Sequence, residues 1–311
     1  MPGGAAMDIT EKIWMDGELV DWKDAKVHIM THALHYGGGV FEGLRVYDTA
    51  RGRAIFRLRD HMRRFFNSAK TIYLDIPYSL DELCEAVKET VRVNGPKADY
   101  IRPLAYYGTG VIGLNPVNLP TRVAIACVHM GAYLGEEQQK KGVRLITSSW
   151  EKPSNRAAAL QAKICGNYIN SVLARLEAVH HGADEALMLN SEGNVAEGTG
   201  ENVFMVKDGR IYTTPLSAGI LEGITRNSIM EIARDIGYEV TEKDITRTEL
   251  YMADEVFMTG TAAEVLPVRM IDEHPIGNGS PGPVTVELQK MFSDIVHGRN
   301  EKYMKWLEFV D

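Results

Sequence analysis

Two Asp-Gly dipeptides, Asp16-Gly17 and Asp208-Gly209, each separate short runs of strand-forming residues. Asp-Gly suits the centre of a two-residue hairpin turn, where both positions need positive φ. The spacing predicts one hairpin from 13–15 and 18–20, and another from 202–206 and 210–213. Between them, 54–58 reads as a strand and 60–73 as a helix. Leu80, Leu83, Cys84, Val87 and Val91 recur at helical spacing, with Ser79 and Glu82 placed as a capping box and Gly95-Pro96 as a stop. The unbroken apolar run 123–128 predicts a buried strand. Beyond it the pattern predicts a strand over 143–147, a helix over 167–181 and a strand over 185–189. A helix then runs from Ile224 to Gly237, followed by a strand over 256–258 and a final helix over 284–296. Strands and helices mixed with hairpins predict α+β domains rather than a regular parallel sheet. The polar, glycine-bounded stretch 135–142 is the best linker between two domains.

The chain has 311 residues, 45% hydrophobic and 24% charged, enough for two domains that each bury a core. Its formal net charge is −8, and the longest basic cluster, 57–64, is broken by Asp60. That balance argues against nucleic acid or an anionic membrane as partner. No apolar run approaches the roughly 18 residues of a membrane span. The lead 1–6 lacks the basic region and apolar core of a secretory signal. Three scattered cysteines, Cys84, Cys127 and Cys165, suit neither a disulfide framework nor a zinc site, and predict a reducing, cytoplasmic setting. His28, His32 and His35 could share a helical face. They lack a His-Glu-x-x-His pattern or a cysteine partner, so no metal is expected. Gly37-Gly38-Gly39 is not followed by Gly-Lys-Ser/Thr and is no P-loop.

The chemistry points to Lys163, a lone charge in Ala162-Lys163-Ile164-Cys165-Gly166-Asn167-Tyr168. A lysine among low-polarity neighbours loses hydration, which favours its neutral amine. A neutral amine can attack an aldehyde and hold it as a Schiff base. Pyridoxal phosphate needs such an amine, a donor near its phenolic oxygen, a counter-charge at its ring nitrogen and a cradle for its phosphate. Tyr168 could reach the phenolic oxygen. Glu197, in Glu197-Gly198-Thr199-Gly200-Glu201-Asn202, could keep a proton on the ring nitrogen. Two phosphate cradles are available. Leu221-Glu222-Gly223-Ile224-Thr225-Arg226 opens a predicted helix, and Gly260-Thr261-Ala262 follows a strand. Arg64 could add a bidentate contact. The ordinary reading of each loop is a cap or turn.

Assembled in order, these residues resemble the branched-chain-amino-acid aminotransferases, class IV (fold type IV) pyridoxal phosphate enzymes. The resemblance spans roughly 11–309. It rests on His35-Tyr36-Gly37-Gly38-Gly39-Val40-Phe41-Glu42-Gly43-Leu44-Arg45, Tyr100-Ile101-Arg102-Pro103-Leu104 and Gly131-Ala132-Tyr133-Leu134-Gly135. It also rests on the Lys163, Glu197 and Leu221 segments, and on 255–264. It implies a smaller N-terminal α/β domain over 1–133, a linker over 134–141 and a larger barrel-like domain with helices over 142–311. Lys163 would be the Schiff-base lysine, Tyr168 would face the phenolic oxygen and Glu197 the ring nitrogen. Arg64, Ile224, Thr225 and Thr261 would hold the phosphate, with Gly200, Asn202, Leu221, Gly223 and Gly260 completing the cofactor's surroundings. Tyr36, Phe41, Gly43, Arg45, Tyr133 and Ala262 would line the substrate site, with Thr261 and Ala262 amides on the substrate carboxylate. Arg102, beside Tyr100, would face the side-chain carboxylate of glutamate. Met130 stands where an aromatic residue is frequent, which implies a somewhat different substrate range.

The implied reaction exchanges an amino group between Leu, Ile or Val and 2-oxoglutarate, giving branched 2-oxo acids and L-glutamate with ping-pong kinetics. The implied partner is a second copy of the chain, in a homodimer or a higher oligomer such as a hexamer. The loop 106–115, through Leu114 and Ile112, would complete the other copy's site. Rival activities on the same fold are a D-amino-acid or (R)-amine aminotransferase and an aminodeoxychorismate lyase. A cofactor-carrying relative without turnover is the rival of another class. The 41–45 and 100–102 stretches favour the branched-chain branch.

Overall fold

The computed structural model describes residues 8–131 and 135–311. Met1–Met7 and Ala132–Leu134 lie outside that description, including the N-terminal lead and the substrate-site candidate Tyr133. The chain divides into two compact units. One comprises the residues up to Gly131 with Ala162–Gly166 and Val296–Asp311; the other comprises Ala132–Gln161 and Asn167–Ile295.

The first unit is built on an antiparallel sheet. Its strands run in the order Leu307–Phe309, Gly52–Phe56, Leu44–Thr49, Tyr100–Tyr107, Thr121–His129, Lys12–Met15 and Glu18–Asp21. The first predicted hairpin forms, with Met15 opposite Glu18 and positive φ at Asp16 and Gly17. Helix Leu80–Asn94 opens with the predicted capping box, Ser79 and Glu82 each accepting the other's backbone N–H. Its Leu83, Val87 and Val91 are buried, as are Leu58, Met62, Phe65 and Ala69 of helix Leu58–Thr71. These stripes join Ile101, Ile125 and Val40 in one core, to which Ala162 and Ile164 also belong.

One local expectation is corrected and one element is added. The strand expected over 54–58 ends at Phe56, because Arg57 adopts φ 51° and turns the chain into the helix at Leu58. The final helix expected over 284–296 forms as Pro283–Val296, and a strand that was not expected, Leu307–Phe309, follows and pairs with Gly52–Phe56. Three residues are too short for strand alternation to register in sequence.

The second unit carries a mixed sheet. Its order is Val195–Gly198, Glu185–Leu189, Val143–Thr147, Glu264–Ile271, Glu255–Gly260, Asn202–Lys207, Arg210–Thr213 and Val240–Glu242. Val143–Thr147 lies parallel to both of its neighbours. Parallel pairing requires a crossover, and helix Tyr168–His180 precedes Glu185–Leu189 in that role. Helix Ile224–Asp235 likewise lies between the parallel strands Arg210–Thr213 and Val240–Glu242. The core gathers Val143, Leu145, Leu187, Val203, Val256, Met258 and Leu266. The fully buried Phe204 and Phe257 stack at 4.9 Å. The stretch expected to be a linker contains a short helix, Glu136–Lys141. Gln139 ties it to the carbonyl of Ala263 by a 2.8 Å hydrogen bond. Among the described residues no helix is long and apolar enough to cross a membrane.

Candidate active site

Lys163 lies in the short segment Ala162–Gly166, which belongs to the first unit. Its flanking residues, Ala162 and Ile164, are buried in that unit's core, and Ile164 bridges Val40. The Lys163 N–H donates to Ser68 Oγ at 2.9 Å, and its carbonyl accepts the Phe41 N–H at 3.1 Å. The backbone on both sides of the lysine is therefore fixed. Its amine stands 4.7 Å from the centre of the Phe41 ring.

The charges around that amine are ordered. Glu42 is fully buried. Arg64 donates to it twice, Nε to Oε1 at 2.6 Å and Nη2 to Oε2 at 2.9 Å, and His61 Nδ1 donates to Oε2 at 2.8 Å. Burial alone would raise the Glu42 pKa, but Arg64 and His61 outweigh it and hold the carboxyl well below its usual range. Burial also lowers the His61 pKa, against the pull of Glu42, so His61 serves as a neutral Nδ1–H donor. For Lys163, loss of hydration is the largest influence and Arg64 adds repulsion. Glu42 and Tyr100 oppose them, and the amine settles at about 8. Roughly a tenth of the amine is thus neutral at pH 7, far more than for an ordinary lysine.

Phe41, Gly43, Tyr100 and Arg102 gather at the same place. The Arg102 guanidinium lies over Phe41 at 4.9 Å and over Tyr100 at 5.4 Å, and donates to Tyr100 Oη at 3.1 Å. Gly43 makes the Tyr100 position possible, because a Cβ there would stand 2.1 Å from Tyr100 Oη. Arg64, expected at a phosphate, has Nε and Nη2 committed to Glu42. Arg45 donates to the carbonyl of Gly131, and Asp99 accepts the N–H of Met130 at 2.7 Å. Tyr36 ends helix His32–Tyr36, with its ring 4.7 Å from that of His32. Ile112 and Leu114 do not join the group around Lys163: they are 82% and 80% exposed. Of the three histidines, His32 and His35 are engaged with the carbonyls of Gly113 and Ile29, and His28 Nδ1 accepts the Met30 N–H at 3.1 Å.

In the second unit, Glu197 lies in strand Val195–Gly198 and is buried. Its Oε2 accepts from Asn202 Nδ2 at 3.2 Å and from the Leu221 N–H at 3.1 Å, and its Oε1 lies 2.7 Å from Lys152 Nζ. Asn202 Nδ2 also donates to the Leu221 carbonyl at 3.0 Å, which ties the strand to the turn before helix Ile224–Asp235. Gly223 is the N-cap of that helix, and no side chain caps it. A Cβ on Gly223 would meet Asn202 Oδ1 at 2.0 Å, so bare backbone is required there. Thr225 is buried in the first turn. Gly260 pairs with Glu264, and Thr261 and Ala262 lie in the turn between their strands. Tyr168 begins helix Tyr168–His180. Next to Gly200, whose N–H donates to Glu201 Oε2 at 3.1 Å, Glu201 is buried; burial, reinforced by Glu185, pushes its pKa up to about 8.

Glu42, His61 and Lys152 were not singled out in the sequence. Glu42 lies within the 35–45 segment, but a carboxylate there has no signature of its own. His61 and Lys152 find their partners 19 and 45 positions away.

The amino-transferase class IV family model matches residues 39–271. The branched-chain-amino-acid aminotransferase of Pseudomonas aeruginosa is 51% identical over 298 residues, covering 96% of this chain and 97% of that protein. Two crystal structures of the T.th. branched-chain amino acid aminotransferase are each 51% identical to this chain. The complex with 4-methylvaleric acid has a TM-score of 0.92 and covers 97% of this chain and 99% of that one. The complex with N-(5'-phosphopyridoxyl)-L-glutamate has a TM-score of 0.93 and covers 98% and 100%.

Proposed function

The chain belongs to the class IV aminotransferase family, and from that premise we propose that it moves an amino group between branched-chain L-amino acids and 2-oxoglutarate with pyridoxal phosphate as cofactor. The observation that carries this reading is Lys163: a backbone-fixed, half-buried amine beside Phe41, lowered to about 8 by loss of hydration and by Arg64. Two further features fit the cofactor. The buried Glu197 carboxylate suits a ring nitrogen, and the uncapped helix N-terminus at Gly223 suits a phosphate.

Pyridoxal phosphate, when bound, supplies an aldehyde for the amine and a ring that takes up the electron pair left by the Cα–H bond. Lys163 would hold that aldehyde through its amine and, when neutral, would serve on Nζ as the base for the Cα proton and as the acid that gives it back. Glu197 holds the proton on the ring nitrogen, and Tyr168 serves the phenolic oxygen. Ile224, Thr225 and Thr261 serve the phosphate, and Arg64, while held by Glu42, adds positive charge for it. Phe41 gives an apolar wall for Leu, Ile and Val. Arg102 with Tyr100 offers the charge-assisted partner that a glutamate side chain needs. The ligands of the two crystal structures, one a branched acid and one a glutamate adduct, support this dual specificity.

The enzyme works in the cytoplasm as a homodimer or larger homo-oligomer, with Ile112 and Leu114 covered by a second copy. Their exposure supports that arrangement. Light scattering of Leu114→Asp should show smaller particles; an unchanged mass refutes the role of that loop.

The test is absorbance of the pyridoxal-phosphate-loaded protein before and after L-leucine. The visible band should be lost, and 2-oxoglutarate should restore it with release of L-glutamate. Lys163→Ala should abolish both. A response to D-alanine or (R)-1-phenylethylamine instead of L-leucine would move the assignment to the sister activities. A protein that never colours would overturn it.

A further inference from the structure

We propose that Lys152 is a positioning residue for the reaction: it holds charge on Glu197 so that the proton shared at that carboxylate rests on the cofactor's ring nitrogen. The inference rests on the assignment of Glu197 to the ring nitrogen made above.

Lysine is among the residues least often buried, yet Lys152 is 8% exposed and its ammonium lies 2.7 Å from Glu197 Oε1. Its backbone is pinned as well, with its N–H donating to the Leu189 carbonyl at 2.8 Å. Two charges taken out of water together cost more than a surface pair returns. A polar but neutral residue could have packed beside Glu197 more cheaply. The charge itself is therefore the feature to explain.

The two carboxylate oxygens are not equivalent. Oε2 accepts two hydrogen bonds, from Asn202 Nδ2 and the Leu221 N–H, which fill its ordinary acceptor capacity. Oε1 faces Lys152 and keeps one acceptor site. A ring N–H docking on Glu197 would share Oε1 with the ammonium. A full positive charge against that oxygen disfavours a proton residing on the carboxyl. It disfavours a proton on the more distant ring nitrogen less, because Coulomb energy falls with separation. Lys152 thus biases the shared proton toward nitrogen, where it makes the ring the better electron sink. Nearby carboxyls do not supply this bias. Glu201 and Glu185 carry charge of the opposite sign when ionised, and Arg175 is engaged by Glu185 at 3.0 Å.

The test uses protein loaded with pyridoxal phosphate labelled with 15N at the ring. Wild type and Lys152→Arg should both show the nitrogen resonance of a protonated ring. Lys152→Met and Lys152→Gln should move it toward the unprotonated position. Both should slow the L-leucine half-reaction by about tenfold or more, the factor that corresponds to one pK unit in proton position. Lys152→Gln keeps a hydrogen-bond donor and guards against a Met variant that fails to fold. A loaded Lys152→Met or Lys152→Gln protein with the wild-type resonance would overturn the proposal. Glu197→Gln separates the two levels. If it too leaves the ring signal unmoved, the fault lies in the assignment of Glu197 rather than in Lys152.

Discussion

Replacing Gly223 by alanine tests the construction of the second unit's site directly. The added Cβ would stand 2.0 Å from Asn202 Oδ1, where ordinary contact begins near 3.4 Å. Asn202 must therefore move by more than about 1 Å, well beyond hydrogen-bond tolerance. It is buried, and its Nδ2 makes two bonds, to Glu197 at 3.2 Å and to the Leu221 carbonyl at 3.0 Å. Losing a bond to a neutral carbonyl costs about 1 kcal/mol and losing one to a carboxylate about 1.5–3 kcal/mol. The expected cost is thus about 3 kcal/mol. At roughly 2–4 °C per kcal/mol for a domain of 150–250 residues, the cofactor-free melting temperature should fall by about 10 °C. The assay is thermal unfolding followed by circular dichroism, repeated in an Asn202→Ala background. Truncating Asn202 removes two of the three nearest atoms and leaves the Arg226 Cβ at 3.2 Å, so Gly223→Ala should then cost below about 1 kcal/mol. Equal costs in the two backgrounds would refute the reasoning, because the clash would not lie with Asn202.

Three further outcomes follow from the charges. With Lys163 at about 8, loading of pyridoxal phosphate onto cofactor-free protein should speed up as pH rises through 8 and then level off; Arg64→Gln, which removes a repelling cation, should move the midpoint up, and an unmoved midpoint would contradict the assigned cause. Glu201 holds its proton in the folded state up to about 8, while the unfolded chain releases it near 4.5. Stability is therefore lost as pH rises across that window, and Glu201→Gln should gain on wild type from about pH 5 to 8 in melting temperature; a difference that stays flat with pH would count against it. Arg102→Met should raise KM for L-glutamate at least about tenfold while leaving KM for L-leucine within a few-fold, since a buried carboxylate loses its charged partner and an aliphatic chain does not. Equal effects on both substrates would deny Arg102 that role.

What the sequence disclosed was mostly local. The Asp16-Gly17 hairpin and the Ser79–Glu82 capping box depend on neighbours a few residues apart, and both formed as read. Lys163 stood out because its segment carries no other charge. Its tuning did not, because Glu42, His61 and Arg64 meet it only after a strand, a helix and a distant loop have packed together. Lys152 was silent for the same reason: in Glu151-Lys152-Pro153 nothing distinguishes a buried cation from a solvated one. Arg57 misled through backbone conformation rather than side-chain type, since a positive φ at arginine leaves no trace in a hydrophobic pattern.

The strand Leu307–Phe309 has a consequence for how the protein is made. It covers the edge of Gly52–Phe56, and Ala162–Gly166 also belongs to the first unit. During synthesis, most of that unit's sheet leaves the ribosome with one border open, and the strand that closes it follows only after the second unit, which ends at Ile295. An uncovered border is a template for pairing with the wrong chain. Deleting Leu307–Phe309 should therefore cost more in soluble yield than in the stability of the material that survives, and neither unit is a single uninterrupted stretch of chain.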